Sequence, residues 1–410
     1  MRTNILIGLL ITIGLVTSVV AADWPQHLGP QRNGVSNEPA IASDFPNGKP
    51  PVVWTRPVGS GWAAPVVAND RVLIFHRLGN QEILESLEVQ TGKVVWEQRY
   101  RTKYVDQFGF DEGPRSTPAV VNGRIITFGA NGDLVVRQEK TGEEIWKRSI
   151  LEEYRGESGY FGYACSPLVV GDRLVLNIGG RNAGIVAWDV RTGKELWRAT
   201  DHEASYSSPI VTRFHDQDTL VFVTREAVVG LDPESGKIRF ERPFRARLRE
   251  SANAATPLAI GNELFVSASY RVGALLMKIA PDFQLQEVWS GDEVLSNHYN
   301  TSVEQDGYLF GIHDRQESRA KLSCVNWKTG KLQWLQRDFG CASLIRVRDR
   351  LIAVNEDGDL IVLAADPMKY RELIRVPVLA SPVRAGTAFS NGQLYARDKN
   401  RLIRVNLQAK

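Results

Sequence analysis

TGKVVW, residues Thr91–Trp96, is the stretch on which the fold turns, because the chain repeats it. The pattern returns as TGEEIW (Thr141–Trp146), TGKELW (Thr192–Trp197), SGKIRF (Ser235–Phe240) and TGKLQW (Thr329–Trp334), with a decayed copy, QLQEVW, ending at Trp289. Glycine accepts the positive φ of a tight turn, and the aromatic that follows is a large strand residue available for packing.

Upstream of each copy lies a second signature: a short apolar strand, a polar turn, another strand. Examples are PVVANDRVLIF from Pro65, PAVVNGRIITF from Pro118 and PLVVGDRLVLN from Pro167. Taking Pro65, Pro118, Pro167, Pro209, Pro257, Ser302, Leu344 and Thr387 as one slot gives eight units, the fourth with a longer turn through His215 and Asp218. Each unit reads as two hairpins, a four-stranded antiparallel sheet A-B-C-D, without helical periodicity. Such sheets repeated radially make a propeller.

The last unit, TAFSNGQLYARDKNRLIRVNL, reaches Lys410 without a fourth strand. The missing piece matches NGKPPVVW, Asn47–Trp54, which carries the turn-and-aromatic pattern with one inserted residue. An N-terminal strand that completes the C-terminal blade closes the ring and removes two exposed sheet edges. The expected fold is therefore all-β: an eight-bladed β-propeller with four-stranded antiparallel blades over residues 47–410, closed by an N-terminal strand.

Residues 1–22 read as a signal peptide, with Arg2 as the positive start, an apolar run from Ile5 to Val20, and small residues at Ala21 and Ala22. Residues 23–46 are then an N-terminal extended arm. No Cys follows the apolar run, so there is no lipobox. The expectation is a periplasmic or secreted protein, monomeric, with no transmembrane segment after signal cleavage.

The net charge is +3 and no long run of like charges occurs, which argues against nucleic acid as a partner. Cys165, Cys324 and Cys341 show no metal-type spacing and read as buried free thiols. No nucleophile-elbow, zinc-protease, P-loop or dinucleotide pattern is present, so no catalytic or metal-binding residue is assigned. Asp111 and Glu112 beside Arg115 read as a salt-bridged loop in preference to an acid/base pair.

Length variation concentrates in the D-to-A crossovers between units. In an up-and-down sheet these share one face of the ring with the B–C loops. The two longest, RTKYVDQFGFDEGPRST (Arg101–Thr117) and LEEYRGESGYFGYACS (Leu151–Ser166), are adjacent and aromatic-rich. Residues just before the slots, including Tyr299 and Cys341, should ring the axial mouth. The expected partner-binding face comprises Trp62, Phe108, Arg115, Tyr160, Tyr163, Tyr206, Asn253, His298 and Arg384. Aromatics mixed with a few polar groups suit a protein or polysaccharide of the cell envelope.

The repeated turn-and-Trp strands, the eightfold count and the closing strand resemble the PQQ-like (quinoprotein-type) β-propeller repeat family. The opening DWPQHLGPQRNGVS, with GPRSTP and ASYSSP later, is similar to secreted planctomycete-type, BamB-like members. The resemblance implies one of two functions. BamB-type proteins are non-catalytic scaffolds that bind a partner through loops on one face, with no cofactor. Quinoprotein alcohol dehydrogenases hold pyrroloquinoline quinone with calcium between a Trp and an adjacent-cysteine disulfide, with a catalytic Asp. This chain has no adjacent Cys pair, so the scaffold is the first expectation and a minimal dehydrogenase the alternative.

Overall fold

In the computed structural model, which describes residues 22–42, 44–156, 158–246, 248 and 251–408, the repeated glycine and aromatic meet across a blade boundary. Gly142 sits at φ 73° in the turn of one blade. A Cβ there would come within 2.6 Å of the Trp96 ring from the preceding blade. The position therefore needs glycine twice over, for its dihedral and for its lack of a side chain. Elsewhere the indole also finds a partner for its N–H: Trp146 donates to the Val190 carbonyl at 3.0 Å and Trp197 to the Pro233 carbonyl at 3.0 Å. The motif is a screw between neighbours.

A β-bulge precedes this aromatic, or Ile374 in its place, in all eight C–D strand pairs. The extra residue re-aims the outer strand so that the ring turns toward the next blade.

Eight antiparallel sheets result, each holding the four strands expected. Blades 1 to 7 span residues 66–101, 119–149, 168–199, 210–243, 258–291, 303–336 and 342–377. Blade 8 takes three strands from residues 388–406. Its outer strand is β2 (Val52–Pro57), paired antiparallel with Val52 opposite Val405. Trp54 of β2 then donates to the Val89 carbonyl of blade 1 at 3.0 Å, the same screw as elsewhere. Closure is as the sequence implied. A single α-helical turn, Ile150–Tyr154, interrupts the crossover from blade 2 to blade 3. Among the described residues no helix is long and apolar enough to cross a membrane.

Apolar residues of adjacent blades interleave to form the core. Cys165, Cys324 and Cys341 are buried free thiols within it, and burial pushes all three above the ordinary thiol range.

The segment from residue 22 to Phe45 was expected only to be extended. It crosses the far end of the ring and touches every blade. Trp24 bridges to Val67 of blade 1, and the Pro25 carbonyl accepts from the Val120 N–H of blade 2 at 2.8 Å. Arg32 donates to the carbonyls of Ser166, Pro167 and Pro209, at the heads of blades 3 and 4. His27 bonds Thr256 at the head of blade 5 at 3.0 Å, and Gly34 lies against Val303 of blade 6. β1 (Val35–Ser36) adds a parallel fifth strand to blade 7. Glu38 accepts from the Asn391 and Gly392 N–H groups of blade 8, at 2.9 and 2.6 Å. The segment DWPQHLGPQRNGVS is thus a plug. The signal-peptide reading of residues 1–22 lies outside the described residues apart from Ala22.

Candidate functional site

The D–A crossovers converge on the ring axis at the end opposite the arm's entry. Just below their rim, small hydroxyls hook one blade to the next: the Ala64 N–H donates to Thr117 Oγ1 at 3.2 Å, Thr117 N–H to Ser166 Oγ at 3.0 Å, and Ser166 N–H to Ser208 Oγ at 2.9 Å. These are the Ser and Thr residues of the S-T-P, C-S-P and S-S-P strings that precede the slots. They hold the crossovers in register around a central cavity of about 350 Å³.

Trp62, Arg115, Tyr206, His298, Tyr299 and Arg384 line that cavity, as the slot rule implied. Phe110, Phe161, Tyr270, Gln316 and Glu317 join them, and His27 and Leu28 of the arm form the floor. Of the remaining expected face residues, Phe108 stands at the rim, half exposed, 5.2 Å from the Phe161 ring. Tyr160 packs 6.0 Å from Phe108 and under the Arg225 guanidinium. Tyr163 and Asn253 are buried instead. Tyr163 fills the core between blades 2 and 3, 4.8 Å from Phe128. Asn253 ties down its own crossover by donating to the carbonyls of Thr224 and Phe244, at 2.8 and 2.9 Å. Cys341 is likewise in the core of blades 6 and 7.

Tyr270 and Gln316 lie outside the expected set because they belong to B–C loops, which share this face with the D–A crossovers. They grip His298 from both sides. Its Nδ1 lies 3.1 Å from Gln316 Oε1, and its Nε2 lies 3.0 Å from Tyr270 Oη. Burial lowers the His298 pKa to about 4, so the ring is neutral near pH 7.

The loop before blade 2 is built on Asp106. One carboxylate oxygen accepts from the Phe108 N–H at 3.0 Å, and the other from Phe110 and Asp111 N–H at 3.0 and 2.8 Å. Arg115 pairs with the same carboxylate at 3.2 Å and stacks on Trp62, 4.8 Å from the ring centroid. Glu112 pairs with Arg77 at 3.2 Å. The acidic residues here organise the loop, and Asp111 and Glu112 are not poised as an acid/base couple.

A quinone–calcium centre would need a different donor set. Trp62 supplies an indole, but the three cysteines are separate, buried and free. Glu317 is the one carboxylate in the cavity lining, and among the described residues no group of three or more His, Cys, Asp or Glu side chains converges. These residues do not fit that centre.

Fold and mouth together define a closed eight-bladed ring, plugged at one end, with an aromatic and cationic cavity open at the other. The chain belongs to the family described as outer membrane protein assembly factor BamB, whose model matches residues 39–215 and 79–336. BamB from Yersinia pestis is 21% identical over 251 residues, covering 57% of this chain and 61% of the relative. BamB from Burkholderia pseudomallei is 26% identical over 266 residues, covering 54% and 66%. The matches thus span just under two thirds of either relative. Among solved structures, BamB from Moraxella catarrhalis superposes with a TM-score of 0.66 at 13% identity, over 87% of this chain and 100% of that one. The quinohemoprotein alcohol dehydrogenase from Comamonas testosteroni gives 0.68 at 12% identity, over 95% and 81%. At such identities the superpositions speak for the fold alone.

Proposed function

We propose that this chain is a non-enzymatic docking propeller of the cell envelope, exported to the periplasm or beyond, which holds a protein partner on its crossover face and uses no cofactor. The observation that carries this reading is the aromatic cluster at the mouth. Phe108 and Phe110 are 51% and 44% exposed although they stack on each other and lie tilted against Phe161. Large apolar rings held in place yet left open to water are the anchors that protein interfaces use. Family membership supports the same reading, since the relatives are named as assembly factors.

The test is photo-crosslinking from position 108 in the native envelope, compared with a Phe108→Ser, Phe110→Ser double variant. A partner captured by the wild type and lost in the variant supports the face. Equal capture by both would sink it. The alternative, a quinone-dependent dehydrogenase, draws on the fold likeness and is separated by dialysis against pyrroloquinoline quinone and calcium. Stoichiometric bound chromophore with dye-linked alcohol oxidation would replace the docking proposal.

A further inference from the structure

Two guanidinium groups share one indole at the cavity wall. Arg115 and Arg384 lie 4.8 and 5.1 Å from the Trp62 ring centroid. Arg115 has Asp106 as its counter-ion. Arg384 forms no salt bridge or hydrogen bond among the described residues, and its other close partner is the Phe110 ring at 5.5 Å. The Nε atoms of Arg115 and Arg384 and the Trp62 Nε1 are buried donors without acceptors. Arg384 thus brings to the cavity wall a guanidinium with no carboxylate partner among the described residues, a cation that an anionic ligand would complete. Below them, Arg32 carries a further buried charge met by carbonyls and the Gln26 amide, with no carboxylate partner among the described residues. Glu317 is the opposing charge in the lining, and Glu356 faces Arg384 from further off.

The cavity is also a dead end. His27 and Leu28 close its floor, and the arm they belong to is bonded to the surrounding blades. A chain entering from the crossover face meets the arm and cannot pass through. What fits a blind, cationic, aromatic-walled pocket is a chain end bearing an anion and an apolar side chain.

We infer that the central cavity is a socket for the C-terminal end of a partner polypeptide, its carboxylate held by Arg384 and its last side chain against Phe110 and Phe161. Carboxylate capture by a guanidinium set among aromatic rings is strong because both partners are charged and the rings exclude water around them. The inference rests on the docking reading, which supplies the partner.

The probe is an N-terminally fluorescein-labelled hexapeptide ending in leucine, titrated by polarisation into the full chain in three forms: free acid, C-terminal amide, and amide with aspartate in the penultimate position. The free acid should bind about tenfold tighter than the simple amide. Arg384→Gln should remove about that factor from the free acid and leave the amide unchanged, while Arg384→Lys keeps part of it. Trp62→Phe, which gives Arg384 a smaller ring to sit on, should weaken the free acid alone. Thermal melts matching the wild type establish that the variants are folded; if Arg384→Gln melts early, Trp62→Phe carries the comparison. Equal binding of acid and amide, or indifference to both variants, overturns the socket. Aspartate amide binding as tightly as the free acid overturns the terminal assignment. If no peptide binds but crosslinking at position 108 still captures a partner, the socket fails and the docking reading stands. Acid-selective binding with partner capture unaffected by the face variant gives the reverse.

Discussion

Glu82 shows how one side chain can set a pH response. It is fully buried between blades 1 and 2, accepting from Tyr100 Oη at 2.5 Å and from the Ala130 N–H at 3.0 Å. Gly129 makes room for it, since a Cβ there would lie 2.2 Å from the carboxylate. Burial outweighs both hydrogen bonds and raises the Glu82 pKa from 4.5 to about 7. The folded state therefore holds the proton more tightly than the unfolded chain across that window, and stability falls as pH rises through it. Glu82→Gln, which cannot ionise, should be more stable than the wild type at pH 8 by on the order of 3 kcal/mol and near parity at pH 4.5. Urea unfolding at the two pH values reads the difference; equal gaps at both would refute the assignment. At Gly142 the argument is steric. Gly142→Ala should cost about 1–3 kcal/mol, from the positive φ and the Trp96 ring together, measured by thermal melt.

At the scale of an element, the arm is held by buried polar contacts as much as by apolar ones. His27 is pushed down to about 3 by burial and by the neighbouring Arg32 charge. Below pH 6.5 the unfolded chain takes up a proton that the folded ring refuses, so the arm's seat weakens on acidification. Arg32→Leu leaves three carbonyls without their donor and should destabilise by about 1–3 kcal/mol. Protease cleavage before Phe45 should be faster in this variant with the blades still intact, and protection equal to the wild type would show that the guanidinium is dispensable. None of this was legible beforehand. The arm's partners lie far along the chain, and its spacing follows neither strand nor helix periodicity. The blades were legible because each turn glycine and its aromatic recur at a fixed offset, and their physical roles need those residue types. Tyr163 stands four residues before its slot, where Trp62, Arg115 and Tyr206 stand three before theirs, and its ring lies in the core.

For the whole molecule, the joint between the chain's two ends is the contact of greatest interest. Trp54→Ala removes the hydrogen bond to Val89 and packing against Tyr395, at a cost of about 3 kcal/mol. Trp146→Ala deletes the same screw within the continuous part of the ring. Hydrogen exchange should separate them: Trp54→Ala should speed exchange in Val52–Pro57 and Arg401–Asn406 together, while Trp146→Ala should leave that pair protected. Identical patterns would mean that the joint is no weaker than any other boundary. Eightfold architecture was readable from the repeat; the cavity was only half so, because its floor and two walls come from the arm and the B–C loops. The arm's reach to all eight blades has one more consequence. Its bonding points are spaced for a single circumference, so it acts as a gauge of blade number. A duplicated or deleted blade could still make a ring, but the gauge would no longer seat. Loss of the plug would then admit water along the axis and turn a closed vessel into a pore.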